Sequence, residues 1–204
     1  MSSRLTIQEL IQKDYDRKVK TFLSLPLEGK DIMVGDSMIA YLNLSKYLFQ
    51  DWINQGIAGD TTNGVLNRLD AVMRLKPKRI VLSIGSNDLV LTNNTYEMTM
   101  KNMQTIIQTL KHDAQVYVCL ITPVNPIMKE ANQGYIAGRT NEAIQTLNDG
   151  IKHTFQERVI DVYTPLVDHH GLLDEKYSKD GIHLNDEGYK QFVKSIRYAL
   201  NITT

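Results

Sequence analysis

The sequence predicts an α/β fold, a three-layer α/β/α sandwich built around a five-stranded parallel sheet. Two observations point there. Short apolar, β-branched runs alternate along the 204 residues with segments whose apolar residues recur at helical spacing. The runs are apolar throughout rather than at every second residue, which is the pattern of strands buried on both faces. Right-handed crossovers through the intervening helices then cover each side of the sheet. The expected strand order is 2-1-3-4-5, a flavodoxin-like arrangement. The chain reads as a single domain over 1–204, with 1–28 a helical extension packed on it.

Thr6-x-x-Glu9 reads as a capping box opening the first helix. Ile7, Leu10, Ile11, Tyr15, Val19 and Phe22 form its apolar stripe, and Pro26 and Gly29 end it. The first strand is 31–34, stopped by Gly35, and 51–57 is the second. Val65, Leu66, Leu69, Val72 and Met73 mark one helix that stops near Lys76-Pro77. Residues 80–84 make the third strand, ended by Gly85. A helix capped near Asn94 points Met103, Ile106, Ile107 and Leu110 inward. Strand 116–121, a helix bearing Ile144, Leu147 and Ile151, strand 159–162, and a last helix with Tyr189, Phe192, Val193 and Ile196 complete the series.

Composition removes several function classes. Basic and acidic residues number 23 each, so the charge surplus needed for nonspecific nucleic-acid binding is missing and no nucleic-acid partner is expected. The single cysteine, Cys119, can close no intramolecular disulfide and supply no zinc–thiolate cluster; inside an apolar strand it reads as core. No apolar run approaches the ~20 residues of a membrane span, and the N-terminal stretch has no apolar signal-like core. No membrane insertion is expected, and the cytoplasm is the default compartment. The oligomeric state stays open.

In open parallel sheets, ligands sit beyond the carboxyl ends of the strands. Four such ends carry polar residues: Gly35-Asp36-Ser37, Gly56-Ile57-Ala58-Gly59-Asp60, Gly85-Ser86-Asn87-Asp88 and, after the fifth strand, Asp180-Gly181-Ile182-His183. Together they hold the parts of an acyl-transfer site. A serine hydroxyl needs a base within hydrogen-bond reach, and His183 can supply it if the last loop folds back over the rim. Asp180, three residues earlier, can reach the other ring nitrogen and stabilise the imidazolium. Donors for a developing oxyanion would be the amides of Ser37 and Gly59 and the side-chain amide of Asn87, with Gly56 competing for the role of Gly59. A plainer reading makes Ser37 a helix cap and Asn87-Asp88 turn chemistry.

These four blocks, in this order, resemble the SGNH (GDSL-type) hydrolase superfamily, in the branch of the platelet-activating-factor acetylhydrolase catalytic subunit. Met38 stands where that family's motif often has leucine, and the likeness spans about residues 30 to 200. The resemblance implies Ser37 as nucleophile, His183 as base, Asp180 as its partner, and Ser37, Gly59 and Asn87 as the oxyanion hole. It implies a serine esterase acting on a small-molecule ester through an acyl-enzyme, with no cofactor and no metal. Acyltransferase, lysophospholipase and thioesterase activities share the same site chemistry.

Two readings of other classes compete. The run Ile32-Met33-Val34-Gly35-Asp36-Ser37 is similar to a late magnesium-binding block of haloacid-dehalogenase-type phosphatases, but the upstream candidate for the nucleophile, Asp14-Tyr15-Asp16, falls in a helical pattern. A binding module without turnover would keep the fold and lose a catalytic residue, and none is missing. Asp168-His169-His170 near Asp174 has no fixed ligand spacing for a metal. Tyr41, Val124 and Tyr135 are candidate substrate contacts, with 122–139 forming one wall. No long apolar lid is evident, which favours short acyl groups such as acetyl or butyryl.

Overall fold

The apolar runs lie side by side because, with both faces dry, their backbone groups can be satisfied only by one another. A computed structural model describes residues 7–26, 29–47 and 51–202. In it β1 (Asp31–Gly35), β2 (Trp52–Gly56), β3 (Arg79–Ser83), β4 (Gln115–Cys119) and β5 (Val159–Ile160) form one parallel sheet in the order β2-β1-β3-β4-β5. The predicted fold class and strand order are those the chain adopts. The helices are α1 (Ile7–Ser24), α2 (Ser37–Ala40), α3 (Thr62–Leu66), α4 (Leu69–Met73), α5 (Asp88–Leu91), α6 (Tyr96–Leu110), α7 (Gln133–Ile136), α8 (Asn141–Phe155) and α9 (Asp186–Ala199).

Alternation along β1 divides the core in two. Ile32 and Val34 pack with Val65, Val72, Ile106 and Ile144, under α3, α4, α6 and α8. Met33 points the other way, to Ile39, Phe192 and Ile196 of α2 and α9. Fully burying each such side chain contributes about 1.5–3 kcal/mol. The first helix lies outside these layers. Phe22, with Val19 and Tyr15, packs on Ile57 and Ala71, and the Tyr15 hydroxyl donates to the Gly64 carbonyl at 2.6 Å.

The structure corrects several elements. The helix expected through 65–73 is two short ones, because Arg68 between them takes φ −128° and ψ 20°, outside helical geometry, and turns a fully buried guanidinium inward. Ile11 is 49 % exposed, so the first helix's stripe is narrower than its periodicity suggests. The fifth strand stops at Ile160: the Asp161 carboxylate accepts the amides of Tyr163 and Thr164 and turns the chain. The fourth stops at Cys119, and the Asn148 side chain then takes over both backbone groups of Ile121. The helix expected to be capped near Asn94 is capped by Thr95, whose hydroxyl accepts from the Met98 amide. The capping box at Thr6 lies outside the described residues.

Candidate active site

Register brings three of the four polar blocks to one rim. Gly35 pairs with Gly56 on one side and with Ser83 on the other, so β1, β2 and β3 end level. Only glycine fits there: a Cβ on Gly35 would lie 2.2 Å from the Ser83 carbonyl oxygen. The Asp36 carboxylate caps α2 by accepting the Met38 amide at 2.9 Å. The cap is therefore Asp36 and not Ser37, and the serine hydroxyl is left for other work. Burial pushes the Asp36 carboxyl up to about 7; the Met38 amide and Arg139 oppose this, and Asp60 and Asp88 add to it.

The fourth block arrives from far along the chain. The loop after β5 folds back because Gly181, at φ +86°, sits against Asn125: its carbonyl accepts the Asn125 amide at 2.7 Å, and a Cβ would lie 2.4 Å from the Asn125 oxygen. Asp180 Oδ1 accepts the amides of Ile182 and His183, while its Oδ2 lies 2.7 Å from His183 Nδ1. His183 Nε2 is 3.2 Å from Ser37 Oγ. Burial pulls the Asp180 carboxyl upward, but the bonds from the His183 ring and amide outweigh it and hold the group below its ordinary value. An ionised Asp180 accepts only, so Nδ1 carries the ring proton and Nε2 faces the serine as an acceptor.

Gly59 and Gly56 part company here. Gly56 donates its amide to the Asn54 side chain at 2.8 Å, and a Cβ there would lie 2.1 Å from the Ala40 amide nitrogen. Gly59 has φ +79° with open space where a Cβ would stand, so it is glycine for its backbone angle, not for crowding. Among the described residues no acceptor takes the amide of Gly59 or that of Ser37. Asn87 donates Nδ2 to the Asp60 carbonyl at 2.8 Å and accepts at Oδ1 from Arg139 Nη2 at 2.5 Å. Asp88 takes the amide and hydroxyl of Thr62 and the Asn94 side chain, which ties the start of α3 to this loop.

Tyr41 and Tyr135 stand edge-on to the His183 ring from two sides, with centroids 5.3 and 5.2 Å away, and both are about half exposed. Val124 does not join them. Only 1 % exposed, it is held by Asn141 at both its amide and its carbonyl and packs in the core, with its other side on a separate cleft beside Arg139 and His170. Beside Gly59 opens a cleft of about 430 Å³, lined by Tyr15, Ile57 and Leu91 and bounded by Ile11 of α1.

Other candidates take ordinary places. Asp168 accepts the amides of His170 and Leu172 in a turn, and the two histidine rings lean together at 3.8 Å. Among the described residues no three His, Cys, Asp or Glu side chains gather as a metal site. Cys119 is buried, with its thiol pushed up by burial and by Asp36. Asp14 and Asp16 sit on α1 and not at the end of a buried strand, as a phosphatase nucleophile would require. No described helix is long and apolar enough to cross a membrane. Two residues escaped the sequence reading, Arg68 and Arg139. No local pattern marks them: Arg68 meets Asp60 and the Gln55 carbonyl, and Arg139 joins its neighbours Tyr135 and Ile136 to the distant Ser86 and Asn87.

Comparison with known proteins agrees with this geometry. The model of the GDSL-like lipase/acylhydrolase family matches residues 34–191. No curated protein matches the chain. Among solved structures, a Streptococcus pneumonia protein provisionally described as a platelet activating factor is 27 % identical, covers 95 % of this chain and 96 % of its own, and superposes with a TM-score of 0.84. A lipase/acylhydrolase from Enterococcus faecalis is 26 % identical over 85 % of this chain and 94 % of its own, with a TM-score of 0.68. A GDSL-like lipase from Bacteroides thetaiotaomicron shares the fold at 21 % identity, with a TM-score of 0.77 over 92 % of this chain and 97 % of its own. With its sheet, its rim of polar blocks and a family match over most of its length, the chain belongs to the GDSL-like lipase/acylhydrolase family and is a GDSL-type ester-hydrolysing enzyme.

Proposed function

We propose that this protein is a serine esterase that cleaves short-chain carboxylic esters through an acyl-enzyme on Ser37. The observation that carries the reading is the line from hydroxyl to imidazole to carboxylate, at 3.2 and 2.7 Å. Ser37 Oγ attacks the ester carbonyl carbon while its proton passes to His183 Nε2. The imidazolium so formed is stabilised by Asp180, and the oxyanion is met by the amides of Ser37 and Gly59 and by Asn87 Nδ2. His183 then gives its proton to the departing alkoxide. Water repeats the sequence on the acyl-enzyme and frees the acid.

The acyl preference follows from the surroundings. The Ser37–His183 pair is flanked by Tyr41 and Tyr135 rather than roofed by an apolar lid, and the neighbouring cleft at Gly59 is open and only partly apolar. Described residues from α1 to α9 are read as one working unit, with α1 as an extension that supplies part of the cleft wall.

The test is hydrolysis of p-nitrophenyl acetate, butyrate and octanoate by the parent and by Ser37→Ala. The parent is expected to prefer the two shorter esters. The variant should lose about 10³-fold or more in kcat while keeping its thermal midpoint. Retained activity in Ser37→Ala would remove the nucleophile, and a preference for octanoate would remove the short-chain assignment alone.

A further inference from the structure

Asn87 is the only proposed oxyanion donor that is a side chain, and a side-chain amide can rotate. Turned by 180°, it would present Oδ1, an acceptor, to the developing negative charge. Something must prevent that.

The amide is held between two groups of opposite chemistry. Arg139 can only donate and has no acceptor at any pH; the Asp60 carbonyl can only accept. Arg139 Nη2 therefore selects Oδ1 at 2.5 Å, and the Asp60 carbonyl selects Nδ2 at 2.8 Å. The orientation follows from the partners, whatever label is first put on the two ends. One Nδ2 proton is used by Asp60, and the other remains for a ligand.

Arg139 is itself fixed. Nε donates to the carbonyl and hydroxyl of Ser86 at 3.0 and 3.1 Å, and Nη1 donates to the carbonyls of Tyr135 and Ile136 at 2.6 and 2.9 Å. At 5 % exposure the guanidinium is shielded from water, and none of its hydrogen bonds goes to a carboxylate. A buried cation donating to Oδ1 draws electron density along the amide and strengthens the far N–H as a donor.

We propose that Arg139 is a positioning residue for ester hydrolysis: it locks the Asn87 amide with Nδ2 toward the oxyanion and adds a positive charge behind it. The proposal rests on the reading of Asn87 as an oxyanion donor. Through the carbonyls of Tyr135 and Ile136, the same side chain ties this donor to the segment that sets Tyr135 against His183.

A double-mutant cycle tests it, with kcat and KM for p-nitrophenyl acetate measured in the parent, Asn87→Ala, Arg139→Lys and the double variant. Lysine keeps the charge but cannot fork to four partners. Asn87→Ala should lower kcat about 100-fold, within the range for loss of one oxyanion donor. Arg139→Lys should lower kcat about 10- to 50-fold with KM within about 3-fold, and in the Asn87→Ala background it should change kcat less than about 2-fold. Arg139→Lys at parental kcat, or a loss repeated in full without Asn87, would overturn the proposal, the second outcome marking Arg139 as scaffold only. Parental kcat in Asn87→Ala would instead remove the donor reading, and the proposal with it.

A measurement on the parent needs no variant to fold. In ¹⁵N-resolved NMR, slow rotation about the amide C–N bond keeps the two Asn87 Nδ2 protons as separate signals that can be followed one by one. A phosphonate adduct on Ser37 should shift one of them and leave the one bonded to Asp60 in place. Equal shifts of both, or a shift of the Asp60-bonded signal alone, would mean the amide is not locked and would overturn the proposal.

Discussion

Arg68 and Arg139 are both buried at the same rim, and their surroundings could hardly differ more. Arg68 meets a carboxylate: Nε and Nη2 reach Asp60 Oδ2 at 2.9 and 2.8 Å, and Nη2 also donates to the Gln55 carbonyl. Its Nη1 has no partner among the described residues. Arg139 meets no carboxylate, and each of its three nitrogens is hydrogen-bonded to neutral oxygen. The first arginine cancels a charge inside the scaffold, while the second leaves a positive charge in place beside the proposed oxyanion hole. Asp60 links the two, since its carboxylate holds Arg68 and its carbonyl holds Asn87.

The sharpest way to break this contrast is Arg68→Met. It strands the Asp60 carboxyl, which burial already pushes up against the pull of Arg68, and should cost about 3–5 kcal/mol in urea unfolding. Arg139→Lys should cost clearly less stability and more kcat. Equal stability losses would erase the distinction.

Asp36 comes next, because it is the carboxyl whose charge Arg139 feels. Its value of about 7 in the folded chain lies above the 3.8 of a free aspartate, so the folded state prefers the protonated form. That contribution is complete below pH ~4 and is lost as pH rises through about 7. Asp36→Asn cannot ionise and can still accept the Met38 amide. Its stability relative to the parent should therefore grow by up to a few kcal/mol between pH 4 and 8 in unfolding titrations. Parallel profiles for the two proteins would contradict the assignment.

The smallest effect belongs to the outer helix over the Arg68 side. Tyr15→Phe removes the bond to the Gly64 carbonyl and should lower stability by about 1 kcal/mol, with faster amide exchange in α1 than in α6. No change in either quantity would mean that α1 is held by Phe22 and Val19 alone.

Much of this molecule can be read along the chain. Strand runs such as 80–82 are unbroken and apolar, and glycines at 35 and 85 lie at or just past the strand ends. The spacing Asp180-x-x-His183 lets one carboxylate serve both the backbone and the ring of the same turn. Where the structure departs from the linear pattern, some causes are local, as at Asp161 and Thr95, and others are partners from elsewhere in the chain. The stripe from Val65 to Met73 promised one helix, and the pull of Asp60 and the Gln55 carbonyl on Arg68 broke it. Val124, a candidate substrate contact, is buried in the core with its backbone held by Asn141, 17 residues away. Arg139 carries no signature at all, since Ser86 and Asn87 stand more than 50 residues away.

The fold class, the polar blocks at the strand ends and the candidate nucleophile, base and carboxylate thus followed from linear pattern, because burial period, turn chemistry and short spacings are properties of neighbouring residues. The strand order is set by the folded chain. Which glycine keeps its amide free, which tyrosines flank the histidine and which arginine retains its charge depended on the folded chain. Those outcomes turn on which donors and acceptors come within about 3 Å of one another once water is excluded, and most of the deciding partners arrive from other segments of the chain.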